Sequence, residues 1–275
     1  NVVNDRIPDR LFKTPQAHFE GRFNSALEER NGALNASGSL GAVSWNIEGA
    51  KRKTNDVHIP GPANVNDPGS DVGFVRNSAI DSSNLSVGSA YIGELSVAKM
   101  DNFYGIPGPE GAKINMGQTR YSLAGDLDNP LTGFQQLKMR FNYNDYKHNE
   151  IEQSGEIASR FKNNELEGRA ELVHAPIANW QGVMGVQLQN RDFSAQGEEA
   201  FVPSSLSQSA GLFMLEKRNW QRWQFEMGGR FEHMAHNPQG IILQARDFNL
   251  YSVSAGGAWK WMNGYQIDLT ATRGQ

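Results

Sequence analysis

The side chains most able to do chemistry gather in NDYKHNEIE, residues 144–152, where Asp145, His148, Glu150 and Glu152 set one imidazole among three carboxylates. Imidazole nitrogen and carboxylate oxygen are both zinc ligands, so the stretch reads as a candidate metal site. The competing reading is a hydrated loop base whose polar groups only face water. Asp56 and His58 in KTNDVHIPG make a thinner candidate, because one histidine beside one aspartate on a loop ordinarily faces solvent. His233 and His236 fall on opposite parities of an extended segment and do not converge on one ion unless that segment bends. Ser204, Ser205 and Ser207 in FVPSSLSQS have no neighbouring His or Asp pattern that would make a triad. The chain carries no GxSxG, no HExxH and no phosphate-binding glycine loop. These residues point to binding rather than catalysis, with no catalytic residue and no resident cofactor assigned.

Bulk properties narrow the partners. A net charge of -4 and a pI near 5.9 leave no basic surplus for a phosphate backbone, which argues against nucleic acid. Mean hydropathy is -0.57 and no run of 18 apolar residues exists, so no helix is expected to cross a bilayer. A strand crossing a bilayer is apolar on alternate residues only, and its mean hydropathy stays low. With no cysteine there are no disulfides, thiolate metal sites or thiol nucleophiles. The 275 residues suffice for one large or two ordinary domains.

The elements that must position these groups are strands. In NWQGVMGVQLQNRDFSA, residues 179–195, Trp180, Met184, Val186 and Leu188 share one parity, and Gln181, Gln187, Gln189 and Arg191 the other. Leu137, Met139, Phe141 and Tyr143 alternate likewise with Gln136, Lys138, Arg140 and Asn142, and Phe225, Met227 and Phe231 with Gln224, Glu226, Arg230 and Glu232. Thirteen such segments lie near 17–28, 33–40, 42–52, 83–92, 94–103, 113–128, 133–147, 157–174, 179–195, 205–217, 222–237, 247–261 and 265–273. Many reach ten residues. Soluble strands average about 5 to 6, whereas a tilted bilayer-crossing strand needs about 9 to 11.

The connections alternate between a short set (40–42, 92–94, 128–133, 174–179, 217–222, 261–265) and a long set (53–82, 104–112, 147–157, 195–205, 236–247), with 28–33 a short exception on the long side. In an up-and-down sheet every second connection falls at the same rim, so this sorting predicts tight turns at one rim and long external loops at the other. Trp180, Trp220, Trp223, Trp259, Trp261 and Tyr265 cluster by the short turns, where a headgroup-level girdle belongs. The polar parity carries both charge signs, which a wet lumen tolerates and a dry core does not. The fold class expected is all-β: a transmembrane antiparallel up-and-down β-barrel. Thirteen is odd, so either the count is off by one or the wall continues beyond this chain.

Several motifs then resemble the barrel of TonB-dependent outer-membrane receptors, nearest the zinc-receptor-like branch. They are NVVNDRIP at 1–8, KTNDVHIPG at 53–61, FYGIPG at 103–108, RYSLAGDL at 120–127, NYNDYKHNEIE at 142–152, ELVHAPI at 171–177 and RDFSAQGEEAFVP at 191–203, in collinear order over nearly the whole chain. The resemblance implies a barrel of about 22 strands blocked by an N-terminal plug, of which this chain would hold about 12 to 13 strands. Residues 1–15 would be the lead-in from plug to barrel and 16–275 the N-terminal barrel portion. The partners implied are TonB, reached through a segment outside this chain, outer-membrane lipid and lipopolysaccharide, and a scarce metal ion or metal complex as cargo. The location implied is the outer membrane of a Gram-negative bacterium. Zinc would be a transported ligand, with Glu150 at about the place of a receptor ligand that plug residues and a later-barrel His complete, neither of which this chain contains; the residue pattern of NDYKHNEIE itself adds His148 and Asp145 as candidates beside it. One departure weighs against zinc: after FYGIPG the family's His- and Asp-rich loop is replaced by PEGAKINMGQ. The alternatives are a passive porin or other barrel without energy coupling, and a soluble all-β binding protein.

Overall fold

A computed structural model describes residue 8 and residues 10–67, 69–108, 110–197, 200–240 and 244–275. Apart from Pro8, the NVVNDRIP stretch lies outside the described residues, as do Glu198 and Glu199 of RDFSAQGEEAFVP.

The chain is all-β, with fifteen strands: β1 (Gln16–Asn24), β2 (Glu29–Leu40), β3 (Val43–Lys53), β4 (Val57–Pro62), β5 (Val72–Val75), β6 (Ile80–Ala90), β7 (Glu94–Gly105), β8 (Lys113–Asp128), β9 (Phe134–Ile151), β10 (Ile157–His174), β11 (Trp180–Gly197), β12 (Ser205–Trp220), β13 (Trp223–Pro238), β14 (Arg246–Met262) and β15 (Tyr265–Gly274). Thirteen form one up-and-down sheet in sequence order, skipping β4 and β5, which pair only with each other. The sheet is not closed on itself; β1 and β15 are its edges. Each of the thirteen alternating segments is a strand of this sheet. The β4–β5 hairpin falls inside the 53–82 connection, which the alternation pattern reads as a loop.

Strand ends differ from the pattern mainly at the long-loop rim. β9 runs to Ile151, four residues past the end its apolar alternation sets, so its connection to β10 is only 152–156, no longer than the 129–133 turn at the opposite rim. Apolar alternation marks where a strand meets an apolar neighbour, but a hydrogen-bonded ladder needs only paired amides. On β9 the outward parity reads Leu137, Met139, Phe141, Tyr143 and then Asp145, Lys147, Asn149, so the strand continues beyond its apolar band.

The two faces are chemically distinct. Val186, Leu188, Leu212, Met214, Met227, Phe231, Tyr251, Val253, Ile267 and Leu269 are all exposed large apolar side chains on one parity of their strands. The register sets Leu212 opposite Phe231 and Phe231 opposite Tyr251, so the apolar rows are continuous across β12, β13 and β14. The opposite parity buries small polar groups, among them Ser44, Asn46, Ser86, Ser96 and Ser159. A soluble sheet hides its apolar parity against a second layer. Here that parity is the exposed one, and an apolar solvent removes the cost of exposing it.

By packing, the chain divides into two compact units: Asn1–Leu123 with Tyr143–Asn164 and Asp192–Ser204, and Ala124–Asn142 with Glu165–Arg191 and Ser205–Gln275. In the first, Asp56 Oδ1 accepts from the amides of Ser78 and Ala79 (2.8 and 3.0 Å), which ties the base of the long 54–79 connection. In the second, the polar parity is cross-linked. Arg169 donates to Glu171 (2.7 Å) and Gln187 (3.1 Å), Arg230 donates to Gln187 (3.2 Å) and Glu232, and Gln187 donates to Glu167 (2.7 Å). The second unit also carries the stacked Trp223–Trp259 pair, ring centroids 5.4 Å apart, at the short-turn rim.

Candidate functional site

Alternation along β9 decides which groups of NDYKHNEIE can meet. Tyr146, His148 and Glu150 share the inward parity, while Asp145 and Lys147 point outward and are exposed. His148 Nε2 lies 3.9 Å from Glu150 Oε1. Its other ring nitrogen, Nδ1, is 2.9 Å from the Tyr146 hydroxyl, and either partner can donate according to tautomer. The ring stacks on Phe161 of β10, centroids 4.5 Å apart and planes 17° from parallel. Because Asp145, Lys147 and Asn149 occupy the outward parity here, this end of β9 lies above the apolar band. Burial between Tyr146 and Phe161 pushes the His148 pKa below its ordinary 6.5, in the direction of the neutral imidazole that binds metal. In the tautomer where Nδ1–H donates to Tyr146, Nε2 carries the lone pair.

Of the three residues expected to hold a metal, two therefore converge. Asp145 sits on the other face of the strand. Glu152 belongs to the tight 152–156 turn, its amide donating to the carbonyl of Glu156 (2.9 Å). Among the described residues, no three His, Asp or Glu side chains gather around one point. Tetrahedral zinc with bonds of about 2.0–2.2 Å holds its donor atoms roughly 3.4 Å apart, so His148 and Glu150 need only a small closing motion to supply two ligands.

The other sequence candidates resolve into structural roles. Asp56 is spent on backbone amides, and His58 is exposed, 4.0 Å from Glu28. His233 bonds Asn249 (3.0 Å) and His236 bonds Ser207 (2.8 Å), on opposite faces of β13. Ser204 Oγ accepts from the amide of Ala195 (3.0 Å) and braces its loop.

Two features escape a reading of the sequence. The first is the pair His174–Glu216, with Nε2 2.9 Å from Oε1, both side chains largely buried. It spans β10 to β12 across β11, and Gly182 makes that span possible: a Cβ there would lie 2.5 Å from the Glu216 carboxyl carbon. The only sequence signal is the motif ELVHAPI, which contains the histidine but not its partner. The second is a cavity of about 590 Å³ in the first unit, bounded by the 106–112 connection and the β9–β10 turn and adjoining Glu150. Its first wall is fixed from below, since the Asn77 amide donates to the carbonyls of Ile106 (2.8 Å) and Ala112 (2.6 Å). A Cβ at Gly105 would collide with Asn77, which gives the first glycine of FYGIPG its reason.

No protein-family model matches the sequence. Solved structures do match in fold. The copper transporter OprC superposes with a TM-score of 0.72 at 14% identity, covering 97% of this chain and 45% of that one. The FrpB iron transporter from Neisseria meningitidis (F3-3 variant) gives 0.72 at 10% identity, covering 94% and 46%. The ferric citrate transporter FecA gives 0.58 at 13% identity, covering 94% and 44%. The chain thus spans a little under half the length of the transporters it matches, and what it shares with them is the strand wall itself.

Proposed function

We propose that the chain is part of the barrel of a TonB-dependent receptor in the outer membrane of a Gram-negative bacterium, which takes up a scarce metal ion or metal complex. The observation that carries this is the continuous up-and-down sheet with an exposed apolar parity and a polar, ion-paired parity, superposable over 94–97% of the chain on copper and iron transporters. The outward parity is solvated by lipid acyl chains, with lipopolysaccharide at the external leaflet. The inward parity faces water or a plug. In this reading β9 to β11 carry their polar upper ends above the bilayer, where cargo arrives. His148 and Glu150 supply two donors to the metal, and zinc is the ion that one imidazole and one carboxylate suit best. No bond is made or broken in the cargo. The work is selective binding followed by an energy-coupled opening through TonB.

The test is metal uptake by cells bearing the full-length protein, with and without TonB. Uptake that requires TonB supports the reading, and equal uptake in both strains points to a passive pore instead. For the site, titrating the purified full-length receptor with zinc should give weaker binding for Glu150→Ala than for wild type; equal affinity removes His148 and Glu150 as ligands. The lipid assignment has its own check. Val186→Arg should destabilise the folded protein by about 2 to 4 kcal/mol, while Gln187→Arg on the wet parity is tolerated.

A further inference from the structure

The cavity beside Glu150 has a charge pattern that identifies its occupant more closely than the donor pair does. Its volume of about 590 Å³ falls within the range of small-molecule sites, roughly 300–1,000 Å³. Ile106, Ile114 and Ile151 give it apolar walls. The charged residues lining it are Glu110, Glu150 and Glu152, all carboxylates. Lys113, Lys147 and Arg160 lie on the outward parity of β8, β9 and β10 and do not line it. Its two walls are held in place without a ligand. The Ile106 amide donates to the Ala112 carbonyl (2.8 Å), Asn77 ties the same loop from below, and the opposite turn closes through Glu152 and Glu156. A preformed site of this kind spends little binding energy on ordering itself.

A bare divalent ion uses none of the isoleucine surface, and an anionic chelate meets three carboxylates in a cavity whose described lining includes no Lys or Arg. We propose that this cavity binds a cation with an apolar body, the form presented by a metal chelate of net positive charge, and rejects anions of similar size. Glu150 then serves both elements, as a metal donor toward His148 and as one wall of the charge filter. That this cation is the cargo rests on the uptake reading; the selectivity of the cavity does not.

The experiment is calorimetric titration of the full-length receptor in detergent with two probes, benzyltriethylammonium and benzylsulfonate, which share an aromatic body and differ in sign. Benzyltriethylammonium is expected to bind at least about tenfold tighter than the sulfonate. In the triple variant Glu110→Gln, Glu150→Gln, Glu152→Gln that preference should fall by about tenfold, with the folded electrophoretic mobility retained. Ala112→Phe keeps all three carboxylates but fills the space, and it should weaken the cation to a similar extent. Equal affinities for the two probes, a preference unchanged in the triple variant, or undiminished binding in Ala112→Phe would each overturn the proposal. Lost charge selectivity with TonB-dependent uptake intact removes only the cavity's ligand class. Uptake independent of TonB with selectivity intact removes only the uptake reading.

Discussion

Two histidine–carboxylate pairs, one in each packing unit, differ in spacing and burial. His148–Glu150 is separated by 3.9 Å, its side chains about one fifth exposed, on the inward parity at the long-loop rim. His174–Glu216 is 2.9 Å, with side chains 7% and 13% exposed, on the same face as Gly182, Met184 and Val186 beside the short turns. The second pair has consumed its bonding capacity: Nε2 is committed to Glu216, and Nδ1 lies 2.6 Å from the carbonyl of Ala175. In the first, Nε2 and Oε1 stay 3.9 Å apart, and the proposed metal binding rests on that separation. Short distance and deep burial mark a tether, whereas a near miss beside a cavity leaves room for a ligand. The tether's Glu216 also lies on the same strand as Arg218, whose guanidinium is 5.8 Å from the Trp180 ring.

The contrast can be broken most severely at Gly182. Gly182→Val puts a side chain where Glu216 now passes, so overpacking and the loss of the pair add. A loss of about 3 kcal/mol is expected, read as a lower unfolding temperature of the full-length protein in detergent. Glu216→Ala should cost about 2 kcal/mol, because it leaves the His174 ring buried with Nε2 unanswered. Glu216→Gln keeps an acceptor for Nε2–H and should cost under about 1 kcal/mol. If all three variants melt with wild type, the pair is no tether.

How legible each pair was follows from chain distance. His148 and Glu150 are two residues apart, and period-two alternation alone puts them on one face, so NDYKHNEIE advertises them. The same alternation could have excluded Asp145, three residues from His148 and therefore on the opposite face; composition drew it into the cluster and geometry removes it. His174 and Glu216 are 42 residues apart on strands that are not neighbours, and the glycine between them leaves no trace in hydropathy. The fold was legible for the same local reason. Every strand of the large sheet shows in the spacing of Phe, Leu, Val and Met, because each apolar side chain meets its surroundings individually. Strand ends such as Glu150 and Ile151 were not, since amides pair regardless of side-chain polarity. The cavity was hidden too: it needs Ile106 from a connection, Ile114 and Ile151 from the ends of β8 and β9, and Asn77 to hold one wall.

The smallest effect on stability should come from the ligand-side pair, and there the comparison is sharpest. Glu150→Gln preserves shape, removes the charge and replaces one acceptor oxygen with an NH2 donor. The unfolding temperature should shift by no more than about 0.5 kcal/mol permits, because the gap to His148 carries little stabilising energy. Zinc affinity should fall all the same, since an amide oxygen is a poorer zinc ligand than a carboxylate. Glu216→Gln is the mirror experiment, with a measurable stability loss and unchanged zinc binding. A double dissociation of this kind separates a pair built to hold strands together from one built to be opened by a ligand. If Glu150→Gln destabilised the fold as much as Glu216→Ala, the long-loop pair would be a second tether, and the cavity beside it would have to account for cargo binding without a metal donor.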